Sequence, residues 1–232
     1  MQPAPAKKSD SEALERLGSA TLQIVHDLKN QLNGLKLYAT FLRKRLERDD
    51  QPPDERETLA KLITGLDRAA KELTALVRYA RPIELRQQSG VDVQRIVAKV
   101  VADAAERETG SLTKAAISLD CENACYLGEF DQAALSEAFK AITNDVLATI
   151  SAREPQPISV ALRLNNETGE AEIEWRGGRF NTRSGALSPG GCGTIHTEVA
   201  RKIIEAHHGA VSCDQDAIRA RLPLTNEKST DD

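Results

Sequence analysis

A histidine with two polar neighbours lies at the centre of a long helical pattern near the N-terminus. The segment from Leu22 to Leu37 reads LQIVHDLKNQLNGLKL, and its centre is His26-Asp27-Leu28-Lys29-Asn30. A neutral imidazole can act as a nucleophile, and an adjacent carboxylate can hold the N–H of the near ring nitrogen and offset a developing cation. The histidine and aspartate are therefore candidate reactive groups, with Asn30 one turn further along the same face.

The helical pattern predicts that His26 points to solvent. At about 100° per residue, the imidazole lies about 160° around the helix from Leu28. Asn30, Asn33 and Leu37 share the histidine side. Apolar residues at helical spacing form a stripe on the far side: Leu14, Leu17, Ile24, Leu28, Leu35 and Leu42, with Val25, Leu32 and Ala39 beside them. A surface histidine with no role is the alternative interpretation.

Composition limits the classes of protein to which this chain can belong. The chain has 232 residues, enough for one large domain or two small ones, with 40% hydrophobic and 28% charged residues. A net charge of −4 argues against nucleic-acid binding. We expect no membrane helix, no signal peptide and a cytoplasmic location. Residues 1–10 and 225–232 are expected to be disordered.

The cysteines do not form a recognisable metal site. Cys121 and Cys125 are the one close pair, and Cys192 and Cys213 lie far from them in sequence. Together with His207-His208 they could in principle bind zinc, but the spacing matches no common ligand pattern. We therefore predict reduced thiols and no metal.

Two long helices are predicted in residues 11–82. The first runs from Ser11 to about Arg48 and is broken by Gln51-Pro52-Pro53-Asp54. The second, from about Asp54 to Tyr79, has an apolar heptad seam. An antiparallel hairpin has two apolar faces to cover, so we expect a homodimer that forms a four-helix bundle. A hairpin used only for dimerisation explains the heptads equally well.

The sequence pattern of residues 83–224 predicts an α+β domain. Expected helices are one that follows Val91-Asp92-Val93 and extends to about Glu108, one from Asp131 to Ile150 with an aspartate N-cap, and Thr194 to His207. Expected strands are Ala116–Leu119, Cys125–Leu127, Pro157–Leu164, Ala171–Trp175, Ala210–Cys213 and Ala217–Leu222. A Gly/Ser-rich loop, 183–193, precedes the last helix. This order predicts helices layered on a mixed sheet.

The order of these parts resembles the transmitter core of sensor histidine kinases over about residues 11–224. The H-D-L-K-N segment fits the family motif H-[DE]-x-x-[NT] on an exposed helix face. The resemblance implies a dimerisation and histidine-phosphotransfer hairpin followed by a GHKL-type ATP-binding sandwich. It also implies that His26 is the phosphoacceptor, that Asp27 assists it and that Asn30 orients a water in receiver dephosphorylation. Response-regulator receiver domains are the implied partners.

An apolar patch beside the histidine is a candidate docking surface. Leu37 and Phe41 lie on the histidine side with Asn33, and exposed apolar residues beside a polar reactive face suggest a site for a receiver domain. The flanks of a helix bundle can also expose such residues.

The second half departs from the kinase pattern at its nucleotide motifs. Ala141 and Asp145 stand where the family has two asparagines, the first of which helps to hold Mg²⁺. Trp175-Arg176-Gly177-Gly178-Arg179 replaces D-x-G-x-G, so the adenine-reading aspartate is a tryptophan and the second glycine an arginine. The last glycine motif is half present in Gly191-Cys192-Gly193. We therefore predict no productive ATP binding, and neither a cofactor nor a metal.

An intact phosphoacceptor without a nucleotide site resembles the dimeric histidine phosphotransferases of bacterial phosphorelays. Such a protein accepts a phosphoryl group from one receiver aspartate on His26 and passes it to another. A divergent but active histidine kinase and a dimeric scaffold or receiver phosphatase are the alternatives.

Overall fold

The computed structural model describes residues 6–46, 53–109, 116–149, 157–177, 194–214 and 216–225. The chain divides into two compact units, Met1–Pro82 and Ile83–Asp232.

The first unit contains two long helices that pack against each other. Helix α1 spans Ala6–Leu46 and helix α2 spans Pro53–Ala80. Residues 6–10 are therefore helical, although a disordered lead-in was expected there; no proline follows Pro5 until Pro52, and the segment is made of residues that tolerate helix well. Pro53 is the first residue of α2, where a missing N–H costs no helical hydrogen bond.

The contact between α1 and α2 is made by small and β-branched side chains. Val25 and Ala39 of α1 and Ala75 of α2 are buried. Lys36 Nζ lies 2.5 Å from Asp67 Oδ1, which adds an ion pair between the helices. Small side chains let the two helix backbones approach closely, so α2 takes the side of α1 that carries Val25 and Ala39.

The second unit is a two-layer α/β sandwich with a five-stranded mixed sheet. The strands are β2 Ile117–Cys121, β4 Ile158–Asn165, β5 Glu170–Arg176, β6 Ala210–Cys213 and β7 Ala217–Pro223. Their order is β2-β4-β5-β7-β6; β2 and β4 run parallel and the other pairs are antiparallel. The predicted mixed sheet is confirmed, with β2 shifted slightly from its expected bounds.

A second, two-stranded sheet was not predicted. Strand β1, Gln88–Asp92, pairs antiparallel with β3, Leu127–Phe130. Segment 88–92 has no regular strand pattern in sequence, and in the structure its register is broken by a bulge at which Gly90 has a φ of 73°. The strand expected at Cys125–Leu127 begins only at Leu127.

Three helices complete the second unit: α3 Val93–Thr109, α4 Gln132–Ala148 and α5 Ile195–Ala206. The predicted aspartate cap of α4 is confirmed, since Asp131 accepts a hydrogen bond from the Ala134 N–H. Alternate residues of the central strands point to the helices and are fully buried, including Val160, Ile173 and Ile218. The hydrophobic core therefore lies between the sheet and this helical layer.

Candidate functional site

The imidazole of His26 is exposed on α1. Its side chain is 60% exposed, and that of the adjacent Asp27 is 59% exposed. The side of α1 that faces α2 carries buried Val25 and Ala39, and the imidazole lies on a different side of the helix. An exposed imidazole can reach and attack a phosphoryl group carried by another protein, whereas a buried imidazole cannot.

Two polar groups reach the same ring nitrogen of His26. The Asn30 amide nitrogen, Nδ2, lies 3.3 Å from His26 Nδ1, across one helical turn. Asp27 Oδ1 lies 3.5 Å from that nitrogen, which is long for a hydrogen bond but close enough for electrostatic attraction. The structure therefore brings together the three candidate catalytic residues around one atom.

Further residues extend the surface that carries the imidazole. We call this surface the histidine face and define it by five exposed residues of α1: His26, Asn30, Asn33, Leu37 and Phe41. Leu37 is 69% exposed and Phe41 is 65% exposed, so the two apolar members stand open to solvent. Exposed Tyr38 borders them and was missed by the sequence reasoning; its aromatic ring, three positions before Phe41, was the available signal.

A separate apolar surface of α1 is also exposed in the single chain. We call it the leucine face and define it as Ile24, Leu28, Leu35 and Leu42. These residues recur at helical spacing on the side of α1 away from His26, and α2 does not cover them. On α2, Leu62 is exposed as well. An apolar stripe of this length on a helix pair is a surface that a further protein element can cover.

In the second unit, Asp145 is engaged by the start of α5. Thr194 is the N-cap of α5, and its Oγ1 donates a hydrogen bond of 2.5 Å to Asp145 Oδ2. The hydroxyl of Thr197 donates to the same oxygen. A carboxylate thus lies at the positive end of a helix, where it ties α4 to α5. Ala141 stands at the first of the two asparagine positions of the kinase pattern, and its methyl group cannot bind a metal ion.

Trp175 is part of the core. Its side chain is buried, its ring centroid is 5.8 Å from that of Phe139, and its indole Nε1 donates a 3.0 Å hydrogen bond to Thr143 Oγ1. Gly177, two residues after Trp175, has a φ of 114°, and a Cβ at this position would clash with Pro157 O. The backbone here therefore requires glycine.

Two positions of the kinase nucleotide motifs carry residues of different chemistry in this chain. An adenine-reading carboxylate is replaced by an apolar ring with its N–H already bonded, and a metal-binding amide is replaced by a methyl group. Residues 178–193, which include Arg179 and Gly191-Cys192-Gly193, lie outside the described residues.

The histidine proposed as a possible zinc ligand has a structural use. His207 is buried; its Nδ1 donates to Ile203 O at 2.8 Å, and its Nε2 accepts from the Asp131 N–H at 3.0 Å. Burial lowers the pKa of this imidazole below its ordinary value. Among the residues that the structure describes, no three His, Cys, Asp or Glu side chains are grouped to hold a metal ion; Cys192 is not among them.

Two solved structures have a similar fold. Full-length ShkA, crystallised in complex with AMPPNP, superposes with a TM-score of 0.63 at 15% identity, over 89% of this chain and 46% of ShkA. The histidine kinase AdeS from Acinetobacter baumannii gives 0.58 at 13% identity, over 85% of this chain and 97% of AdeS. The chain has the fold of a sensor histidine kinase transmitter.

Comparison with protein-family models finds no match. No curated protein matches the sequence either. The chain spans less than half of the length of ShkA and nearly all of the AdeS structure. At these identities the likeness concerns the fold alone. None of the helices that the structure describes has the length and apolar character needed to cross a membrane.

Proposed function

We propose that this chain is a phosphorelay protein whose His26 accepts a phosphoryl group from the aspartate of one receiver domain and donates it to another. The observation that carries the proposal is the exposed His26 imidazole with Asp27 Oδ1 only 3.5 Å from Nδ1. The histidine kinase transmitter-like fold supports it, because the resemblance to that family implies a phosphoacceptor histidine on this helix. The nucleophile is Nε2, the ring nitrogen away from Asp27.

The reaction requires little from the protein beyond placement and charge. Nε2 attacks the phosphorus, the P–O bond of the aspartyl-phosphate breaks, and the receiver carboxylate leaves. Asp27 offsets the positive charge that the ring acquires while the phosphoryl group is attached. The reverse reaction returns the group to a second receiver, so no nucleotide is consumed.

We propose that the chain works without ATP. The buried Trp175 indole, bonded to Thr143, supports this, as does the engagement of Asp145 by Thr194 at the start of α5. In a protein that binds MgATP, these positions would hold polar groups open to the ligand. Here Trp175 joins the sheet to α4, and Asp145 joins α4 to α5.

The active form is proposed to be a homodimer. The leucine face supports this assembly, because Leu28 and Leu35 are exposed on the single chain although they recur as an apolar stripe. A second copy that covers the leucine face forms a four-helix bundle. The histidine face lies on another side of α1 and stays open, so dimerisation and receiver docking are compatible.

Receiver domains are proposed to dock on the histidine face. Leu37 and Phe41 are exposed about three and four turns beyond His26, where a partner surface can contact them while its aspartate reaches the imidazole. Exposed apolar and aromatic side chains beside a polar reactive group are typical of binding hot spots.

Two incubations test the proposal. The purified chain is mixed either with labelled ATP and magnesium or with a panel of receiver domains that carry labelled aspartyl-phosphate. We expect acid-labile label on the chain only in the second mixture, abolished by His26→Ala. The control is His208→Ala, which removes another exposed histidine and should keep the label. No transfer from any receiver, or transfer that survives His26→Ala, contradicts the proposal.

An active but divergent kinase is the second candidate. The observation in its favour is the fold shared with ShkA, whose structure contains AMPPNP. Label transfer from ATP to His26 in the first mixture would establish it. A third candidate, a receiver phosphatase, rests on the placement of Asn30 beside the imidazole; it predicts receiver dephosphorylation that Asn30→Ala abolishes and little phosphohistidine.

A further inference from the structure

The two contacts at His26 Nδ1 require opposite protonation of the ring. A neutral imidazole carries one proton, on Nδ1 or on Nε2. The Asn30 amide can donate to Nδ1 only if that nitrogen is a bare acceptor, which places the proton on Nε2. Asp27 is favoured as a neighbour of Nδ1 only if that nitrogen carries the proton, which leaves Nε2 bare.

The geometry favours the contact with Asn30. Its amide nitrogen is 3.3 Å from Nδ1 and meets hydrogen-bond geometry, whereas the Asp27 oxygen is at 3.5 Å and makes an electrostatic contact. Both groups are on the exposed side of α1, so water can compete with either contact. The two arrangements can therefore exchange through contacts with water.

We propose that Asn30 is a positioning residue that holds His26 in its Nε2–H tautomer at rest, and that Asp27 favours the Nδ1–H tautomer that reacts. The proposal rests on the proposed function, because it assumes that Nε2 is the phosphoacceptor. A protonated Nε2 has no lone pair with which to attack phosphorus. Any partner that draws the Asn30 amide to itself, such as the oxygens of an incoming phosphoryl group, releases Nδ1 to take the proton and so activates Nε2.

The tautomer ratio can be measured without any phosphoryl transfer. The full chain is labelled with ¹⁵N-histidine, and the ring nitrogens of His26, assigned by their loss in His26→Gln, are recorded at alkaline pH where imidazoles are neutral. We expect Nε2–H to predominate in the wild type. Asn30→Ala should lower the Nε2–H to Nδ1–H ratio by about threefold, the effect of losing one modest hydrogen bond.

Two variants separate tautomer control from a general effect on α1. Asn30→Asp puts an acceptor where the donor was, so it should lower the ratio further than Asn30→Ala. Gln31→Ala removes another exposed amide of α1, one that is next to Asn30 in sequence but outside the histidine face, and should leave the ratio unchanged. A ratio that is equal in wild type, Asn30→Ala and Asn30→Asp overturns the proposal.

Reactivity is tested with phosphoramidate, a small donor that needs no docking surface. Nε2 attacks its phosphorus, the P–N bond breaks, ammonia leaves, and the Nδ1 proton passes to solvent. Asn30→Ala should form phosphohistidine about threefold faster than the wild type and than Gln31→Ala, in proportion to the reactive tautomer. An unchanged or slower rate in Asn30→Ala overturns the proposal.

The tautomer assignment and the relay function can be disproved independently of each other. If the tautomer ratio follows the Asn30 series but no receiver transfers its phosphoryl group to His26, the tautomer assignment stands and the relay function is wrong. If receivers label His26 while the ratio ignores residue 30, the relay function stands and the role given to Asn30 is wrong.

Discussion

Trp175 donates its indole N–H to Thr143 Oγ1 across 3.0 Å in the core of the second unit. Both side chains are fully buried, so neither group can exchange its partner for water. The bond joins β5 to α4 at the position where the kinase pattern would place an adenine-reading carboxylate. In this structure the position is part of the packing between sheet and helix.

The first prediction concerns the free energy of this bond. Thr143→Val keeps the side-chain shape but leaves the indole N–H without an acceptor, and should lower the free energy of unfolding by about 1–3 kcal/mol. Trp175→Phe should cost more, because it also leaves space around Phe139. Urea unfolding of the full chain measures both. In the double variant the losses should be less than additive by about 1 kcal/mol; strict additivity would show that the bond contributes nothing.

The second prediction tests the homodimer through two matched leucines. Leu35 belongs to the leucine face and Leu37 to the histidine face, and both are more than half exposed on the single chain. Leu35→Glu should dissociate the dimer, because it places a charge in an apolar interface. Leu37→Glu introduces the same charge two residues away and should leave the dimer intact. Sedimentation velocity distinguishes the outcomes; a wild-type monomer, or dissociation by Leu37→Glu alone, contradicts the assembly.

The same pair of variants separates assembly from docking. Leu37→Glu should slow phosphoryl transfer from a receiver to His26 by tenfold or more, on the scale of about 1.4 kcal/mol at a binding hot spot. Its reaction with phosphoramidate should be unchanged, since that donor does not contact the patch. A variant that loses both reactions has lost its fold or its imidazole geometry, and circular dichroism of α1 and α2 identifies that case.

Much of the fold could be predicted from local signals. Pro53 begins α2, and Asp131 begins α4 as a side-chain cap; both are effects of near neighbours in sequence. The departure from the nucleotide motifs was also visible, because Ala141 and Trp175 are not the residue types that the kinase pattern has at those positions. What could not be predicted was the use that the structure makes of Trp175.

The missed features depend on long-range contacts or on side-chain torsions. Strand β1 forms only because β3 pairs with it across a bulge, and the Arg86 N–H bonds to Asp131 from 45 residues away. Periodicity places Asn30 and His26 on one face, but it does not say that the amide points at Nδ1 rather than at solvent. The contact between the Asn30 amide and His26 Nδ1 is set by the side-chain torsions of both residues, which periodicity does not determine.

The third prediction is a pH dependence of stability set by His207. Burial lowers the pKa of this imidazole below its ordinary 6.5, and the Asp131 N–H needs a bare Nε2. Below pH 6.5 the unfolded chain therefore binds more protons at this residue than the folded chain does. The free energy of unfolding should then fall as the pH is lowered through this range, by up to about 1.4 kcal/mol per pH unit.

A variant that cannot titrate isolates this effect. His207→Gln can still accept from the Asp131 N–H and donate to Ile203 O, so it should fold and should lose much of the slope between neutral and mildly acidic pH. His208→Gln alters the exposed neighbour and should keep the slope. Urea titrations at several pH values measure it. An equal slope in the wild type and in His207→Gln would assign the effect to other groups.

The fourth prediction concerns the turn that ends α5. His208 has a φ of 62°, a left-handed conformation that a side chain disfavours, and its N–H bonds to Glu205 O while the Gly209 N–H bonds to Ile204 O. This is the Schellman pattern, in which glycine is preferred at the position that His208 occupies. His208→Gly should therefore raise the free energy of unfolding by roughly 0.5–1 kcal/mol.

Two comparisons give this prediction its sign. His196→Gly makes the same replacement inside α5, where glycine loses backbone entropy, and should destabilise by about 0.5–1 kcal/mol. At Gly209 an added Cβ would lie 2.2 Å from Arg221 O, so Gly209→Ala should cost about 1–3 kcal/mol even though it follows the helix by only three residues. Thermal unfolding ranks the three variants. If His208→Gly and His196→Gly destabilise equally, the left-handed backbone at His208 carries no strain, because strain there is the only reason for the two substitutions to differ in sign.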